Sequence, residues 1–149
     1  MGVFFHDTSA ILKRYLKEPG SGWVQTLTDP ATGHFHYLAR ITLPEAVSAI
    51  TRRERGGQIA AADALTAIAQ FRSDFARQYR IAELSASLID RAALLARTHG
   101  LRGYDAVQLA TALAVRDLAP TLVLHSADIE LNAAAAALGL AVEDPNDYP

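Results

Sequence analysis

Two short apolar runs, one near each end of the chain, break off in the same way. Val3-Phe4-Phe5 leads through His6 to Asp7, Thr8 and Ser9, after which Ile11, Leu12, Tyr15 and Leu16 recur at helical spacing. Thr121-Leu122-Val123-Leu124-His125, the clearest strand signal in the chain, leads through Ser126 and Ala127 to Asp128, and a second helical stretch follows. Each unit reads as a strand, an acid at its carboxyl end, and a helix. Strands alternating with helices build a parallel sheet covered on both faces. In such sheets ligands and chemistry collect at the carboxyl ends of the strands. Two carboxylates therefore stand in a functional place.

The rest of the chain fits that plan. Thr8 to Lys17 and Ser21 to Thr28 read as helices, with turn signals at Pro19-Gly20, Asp29-Pro30 and Thr32-Gly33. His34 to Leu38 reads as a short strand. Thr42 to about Arg55 is a helix stopped by Gly56-Gly57, and Gln58 to about Gln78 is a longer one, so the two form a helical hairpin. Tyr79 to Leu84 is a candidate strand and Ser85 to Thr98 a helix. Tyr104 or Asp105 opens a further helix running to about Asp117. Ile129 to Leu138 is an Ala-rich helix, and Leu140 to Glu143 is a last strand. The expected architecture is α/β: a three-layer α/β/α sandwich with a short, mostly parallel central sheet and predominant helix. One domain spanning residues 1–149 accommodates it.

Composition narrows the chemistry. The chain has no cysteine, which excludes thiolate catalysis and disulfides and fits a reducing, cytoplasmic setting. No apolar run approaches the ~20 residues of a membrane span, and the first residues lack the basic region of a signal peptide. The net charge of −2 neither demands nor forbids a nucleic-acid partner, so phosphate binding would need basic residues gathered locally. Lys13, Arg14 and Lys17 on the exposed side of the first helix are candidates, as are Arg52, Arg53 and Arg55 at the hairpin end. His34 and His36 share one face of their strand. No further ligand lies near them in sequence, so they read as part of a half-exposed strand and not as a metal pair.

Four acids carry the functional reading, and each also has a structural explanation. Asp7 could cap the helix that follows it. Glu45 completes a Thr42-x-x-Glu45 capping box with Pro44 at the helix start, which accounts for it without chemistry. Asp105 is favoured by the helix dipole, but it stands at the mouth of an almost wholly apolar helix, where a carboxylate is costly. Asp128 repeats the placement of Asp7, with Ser126 competing for the cap. Glu130 reads as a solvated first-turn acid. Four acids at strand-to-helix junctions, at 7, 45, 105 and 128, are harder to dismiss together. If they converge, their repulsion raises some pKa values, and a divalent cation relieves it. Oxygen-only ligation suits Mg²⁺ or Mn²⁺ over Zn²⁺.

These motifs, in this order, resemble the PIN domain: Phe5-His6-Asp7-Thr8-Ser9-Ala10; Pro44-Glu45; Tyr104-Asp105-Ala106-Val107-Gln108-Leu109-Ala110; and Ser126-Ala127-Asp128 with Gly139-Leu140 beyond it. More narrowly, the chain resembles the VapC-type toxins of bacterial toxin–antitoxin pairs. The resemblance implies a Mg²⁺- or Mn²⁺-dependent ribonuclease that hydrolyses RNA phosphodiester bonds. It implies catalytic and metal-binding roles for Asp7, Glu45, Asp105 and Asp128, with Thr8 or Ser9 as supporting hydroxyls. It also implies a VapB-like antitoxin partner and a homodimer. Ser126 stands where the family often has Thr, which keeps a hydroxyl. Gln108 stands where the family often has His, and the reading gives it no role.

Other readings fare less well. A haloacid-dehalogenase-like phosphatase wants a second Asp two residues after the first, where Ser9 stands. A receiver-like phospho-acceptor domain wants an acidic pair before its central Asp and a later Lys, and neither is present. Serine-nucleophile chemistry lacks its Gly-x-Ser-x-Gly turn. The remaining alternative is a catalytically inactive PIN-like module that binds protein or RNA, from which measurable Mg²⁺ binding would separate an active enzyme.

Overall fold

The computed structural model describes residues 1–149. Five strands, β1 (Val3–His6), β2 (Phe35–Ala39), β3 (Arg80–Ala82), β4 (Val123–His125) and β5 (Ala141–Glu143), form one sheet in the order β3-β2-β1-β4-β5. Every neighbouring pair is parallel. Seven helices connect them: α1 (Thr8–Ile11), α2 (Ser21–Leu27), α3 (Thr42–Arg55), α4 (Ala61–Arg77), α5 (Ala86–His99), α6 (Gly103–Leu118) and α7 (Ile129–Ala137). The expected α/β/α sandwich is present.

The strand pleat sorts side chains onto two cores. Phe5, Ala39 and Leu124 join α5, α6 and α7 in a cluster on one face, with Val3 and Tyr37 packed against it. Leu38 joins Ile11, Leu12, Ile50, Phe71 and Phe75, which come from α1, its extension, α3 and α4 on the other face. The chain therefore leaves β1 toward one face, through α1, and leaves β4 toward the other, through α7. These two strands are neighbours at the centre of the sheet. A crevice opens between adjacent strands whose connections diverge in this way, outside their carboxyl ends. Asp7 and Asp128 sit at those ends.

Local details depart from the sequence expectations in informative ways. The first helix is expected to reach Lys17, but α1 stops at Ile11 and tightens into a 3-10 turn over Leu12–Arg14. The tighter turn keeps Leu12 and Leu16 in the core while Arg14 reaches Gln78 and Tyr79. The fourth helix begins at Ala61 and not at Gln58, because Gly57 adopts a left-handed φ of 73° and Ala60 is extended. Gly20 caps α2 with φ 87°, and a Cβ there would lie 2.3 Å from the Pro145 carbonyl oxygen. Only glycine fits where the C-terminal tail crosses α2.

The histidines are the largest surprise of the fold. His36 is buried, not half-exposed as its strand pattern suggests. His6 joins its Nδ1 to His125 Nδ1 at 2.7 Å and its Nε2 to His36 Nδ1 at 2.8 Å, so three imidazoles make one hydrogen-bonded chain across β2, β1 and β4. Trp23 of α2 covers His125 edge-on at 4.9 Å, and Tyr148 of the tail stacks on Trp23 at 4.2 Å. Burial is the main cause that lowers all three pKa values, with neighbouring imidazoles adding to it: His36 to about 4, His125 to about 3 and His6 well below its ordinary value. The cluster is neutral at physiological pH. His34 stands apart and accepts a bond from the Gly2 backbone N–H.

Candidate functional site

The four acids expected from sequence line one cleft. Asp7, Glu45, Asp105 and Asp128 share a cavity of about 450 Å³ with Thr8, Ser9, Arg52 and Tyr104. Asp7 comes from the end of β1, Asp128 from the loop after β4, and Glu45 and Asp105 from the first turns of α3 and α6. Glu130 is exposed and lies outside this cavity.

Asp7 does cap α1. Its Oδ2 accepts the Ser9 hydroxyl at 2.7 Å, the Ser9 backbone N–H at 3.3 Å and the Ser126 hydroxyl at 3.4 Å. All three bonds fall on one oxygen. Ser9 Oγ also accepts the Ala127 N–H at 3.0 Å, and Ser126 Oγ accepts the Asp128 N–H at 3.1 Å. Two hydroxyls therefore stitch the turn after β1 to the turn after β4. Asp128, not Ser126, caps α7, with Oδ1 accepting the Leu131 N–H at 2.8 Å. Capping and cleft placement coexist in both acids.

Glu45 is held differently from the sequence expectation. The Thr42-x-x-Glu45 capping box does not form: α3 already includes Thr42, its N-cap is Ile41, and no side chain caps it. Thr42 instead accepts Gln108 Nε2 at 3.0 Å. Gln108 Nε2 also donates to Glu45 Oε1 at 2.7 Å, and the Thr8 hydroxyl donates to the same oxygen at 3.0 Å. Gln108, to which the sequence assigns no role, is therefore the residue that fixes Glu45. Its position carried a signal. It is an amide inside the apolar run Ala106 to Leu113, fully buried one turn beyond Asp105, and a buried amide must find partners.

Burial and crowding shape the electrostatics. Burial pushes Asp7 up to about 6, the Glu45 charge adds to this, and the Ser9 bonds oppose it. Asp105 is likewise raised to about 6, first by burial and then by Asp7 and Asp128, with Arg102 opposing. Glu45 is raised by burial and by Asp105, against the bonds from Gln108 and Thr8. No group of three or more His, Asp or Glu side chains is drawn together closely enough to hold a metal ion as the side chains stand. The donor set still fits one class of ion. All the facing ligands are carboxylate oxygens, and Mg²⁺ keeps several waters while binding through one or two carboxylates.

The basic residues divide. Lys13 is buried, contrary to the expectation of an exposed helix face, and pairs with Glu18 at 3.6 Å. Arg53 also pairs with Glu18. Arg14 is committed to Gln78 and Tyr79 and lies 3.6 Å from Asp74. Lys17, Arg52 and Arg55 are exposed, and of these Arg52 lines the cleft.

A parallel sheet between two helical layers, with carboxylates lining the crevice at its switch point, places the chain among PIN domains. Comparison with known proteins narrows this further. The chain is 34% identical over 142 residues, 95% of each chain, to Ribonuclease VapC45 of Mycobacterium tuberculosis. At that identity and coverage it belongs to the VapC family. Among solved structures, the M. tuberculosis VapC20 toxin, described as cleaving the sarcin–ricin loop, matches with a TM-score of 0.65 at 18% identity, over 93% of this chain and 96% of that one. A toxin–antitoxin complex from Klebsiella pneumoniae matches with a TM-score of 0.64 at 17% identity, over 97% and 98%. These two likenesses concern the fold. No family model matches the chain.

Proposed function

We propose that this chain is a metal-dependent endoribonuclease, the toxin of a VapBC-type pair, acting in the cytoplasm. The observation that carries the reading is the gathering of Asp7, Glu45, Asp105 and Asp128 from four separate segments into one cleft, in a chain of the VapC family. Asp7, Asp105 and Asp128 would hold Mg²⁺ or Mn²⁺, with Glu45 joining directly or through water. Bound there, the ion supplies an activated water and positive charge for in-line hydrolysis of an RNA phosphodiester.

The protein's own residues have distinct tasks. Ser9 and Ser126 hold Asp7 by one carboxylate oxygen, which fixes its orientation. Gln108 and Thr8 do the same for Glu45. Both arrangements leave each carboxylate a second oxygen to offer the cleft. Asp7 and Asp105 must lose their protons to bind a cation, and with pKa values near 6 they do so at physiological pH. A VapB-like antitoxin is the proposed partner, in keeping with the toxin–antitoxin complex among the structural neighbours. A homodimer is the proposed assembly.

One observation favours a second reading. Because no three carboxylates converge as they stand, an inactive PIN-like module that binds RNA or protein would show the same cleft. Induced expression of the wild type and Asp7→Asn, with mapping of new RNA ends, and cleavage assays with Mg²⁺ and with chelator, separate the two. Discrete cuts that require both Asp7 and the cation support the enzyme. Equal cutting by Asp7→Asn or in chelator overturns the mechanism, and no cutting by the wild type favours the binding module.

A further inference from the structure

The acids explain how a phosphodiester would be cut, but not what brings it there. Four carboxylates repel a phosphate, so attraction must come from the remaining walls of the cleft. Two side chains on those walls have no task inside the molecule. Tyr104 precedes Asp105 in the first turn of α6, lines the cleft, and is 66% exposed. No intramolecular hydrogen bond or ring contact engages it. The other tyrosines are engaged: Tyr15 and Tyr79 bond each other, Tyr148 stacks on Trp23, and Tyr37 packs against the core and beneath Arg80. A lone exposed aromatic is ordinary on a protein surface. An unoccupied ring on the wall of an acidic cleft is not.

Arg52 stands on the α3 side. It follows Glu45 by seven residues, two helical turns, which puts both on one face of the helix. Arg52 forms no ion pair, is exposed, and is the one arginine that lines the cleft. The cavity that both side chains line, about 450 Å³, lies within the range of ligand-sized sites, roughly 300–1,000 Å³.

We infer that Tyr104 and Arg52 are the substrate-positioning pair of this cleft: Tyr104 stacks one unpaired nucleobase beside the scissile phosphate, and Arg52 binds a neighbouring backbone phosphate. The inference rests on the ribonuclease reading and adds a substrate requirement to it. A ring can be stacked only by a base that has left its own helix, so the cut must fall next to an unpaired nucleotide. Stacking is neutral and is not weakened by the acids. Arg52, the one guanidinium that lines the cleft, supplies charge that the acids deny.

The test begins with wild-type cuts mapped in total cellular RNA. A short single-stranded RNA spanning one cut is then synthesised, with versions carrying an abasic residue on either side of the scissile phosphate. Tyr104→Ala lowers kcat/KM about tenfold, chiefly through KM, while Tyr104→Phe stays near wild type. One of the abasic substrates abolishes the difference between wild type and Tyr104→Ala. Arg52→Ala lowers kcat/KM and reduces the slope of log kcat/KM against log salt concentration by about 1. Thermal unfolding of all three variants stays near wild type. If the wild type cuts but Tyr104→Ala matches it, or Tyr104→Phe falls as far as Tyr104→Ala, the stacking role is overturned and the ribonuclease reading stands. The same holds if neither abasic substrate removes the Tyr104→Ala defect. If Tyr104→Ala weakens only antitoxin binding, the ring belongs to the partner interface and the inference fails. If the wild type cuts no RNA, both the reading and the inference fall.

Discussion

Gln108 and Glu45 lie 63 positions apart in the chain and meet at 2.7 Å beneath the cleft. The amide nitrogen's two hydrogens are shared among Glu45, Thr42 and the more distant Thr8 hydroxyl, while its own carbonyl oxygen is buried without a partner. Such an arrangement sacrifices one acceptor to hold one carboxylate. Gln108→Leu should therefore separate activity from stability. Removing the orphaned oxygen offsets part of the lost bonding, so thermal unfolding shifts by only a few degrees. Glu45 loses its principal donor, and RNA cleavage falls roughly 10- to 100-fold. Because that donor lowers the Glu45 pKa, its loss moves the acid limb of the pH–rate profile upward. Steady-state rates across pH and a melting curve check both parts.

Asp7→Asn should abolish cleavage and yet stabilise the protein in the absence of divalent cation. The buried carboxylate is raised from 3.8 to about 6, so carrying its charge at neutral pH costs the folded state stability. A shift of that size corresponds to roughly 3 kcal/mol at most, and rearranged hydrogen bonds at Ser9 offset some of it. A gain of a few degrees in Tm at neutral pH is expected. A lower Tm would show that the charge itself holds the turn.

Cation binding should stabilise the protein in a pH-dependent way. Asp7 and Asp105 both have folded pKa values raised to about 6 from 3.8. Their contribution to stability is thus fully present below 3.8 and is lost as pH rises through 6. Above 6 the two charges are unrelieved, and Mg²⁺ or Mn²⁺ should restore stability there. The rise in Tm on adding MgCl₂ should be clear at pH about 7.5 and nearly absent at pH about 5. An equal rise at both values would place the binding elsewhere.

The histidine chain gives the opposite sign. His36 and His125 have folded pKa values lowered to about 4 and about 3, and His6 is lowered as well. Wild-type stability is therefore lost as pH falls below 6.5, the value in the unfolded chain. His36→Phe removes one such group and leaves His6 Nε2 without its partner. It should cost about 1–3 kcal/mol at pH about 8, with the deficit narrowing by roughly 1.4 kcal/mol per pH unit below 6.5. Urea titrations at several pH values would show the two curves approaching.

Much of this molecule is legible in the sequence because its signals are local. β1, β2 and β4 announce themselves as short runs rich in aliphatic and aromatic residues, and Asp7 and Asp128 are marked by the strands that lead to them. What sequence reading missed depends on contacts across the sheet. Thr42 and Glu45 have the spacing of a capping box, but Gln108, arriving from α6, takes both side chains. Lys13 has the look of an exposed cation, yet the tightened turn after α1 turns it toward Glu18. His6, His36 and His125 are unremarkable singly, and only the register of three parallel strands makes them one chain. Each miss is a polar group whose partner is at least 30 residues away or whose direction depends on a local tightening.

The position of β1 has a consequence for how the molecule comes into being. The strand at the centre of the sheet is made before the other four, and one of its two neighbours, β4, begins only at Val123. Until then β1 has one open edge, and the Asp7 N–H has no His125 carbonyl to donate to. Asp128 and the Ser126 hydroxyl that steadies Asp7 arrive with that same late segment. A nascent chain on the ribosome therefore carries most of its acids without the cleft that gathers them. Closure of the sheet by β4 is also the step that gathers the four acids, so the cleft takes shape only after the segment carrying Asp128 has been made.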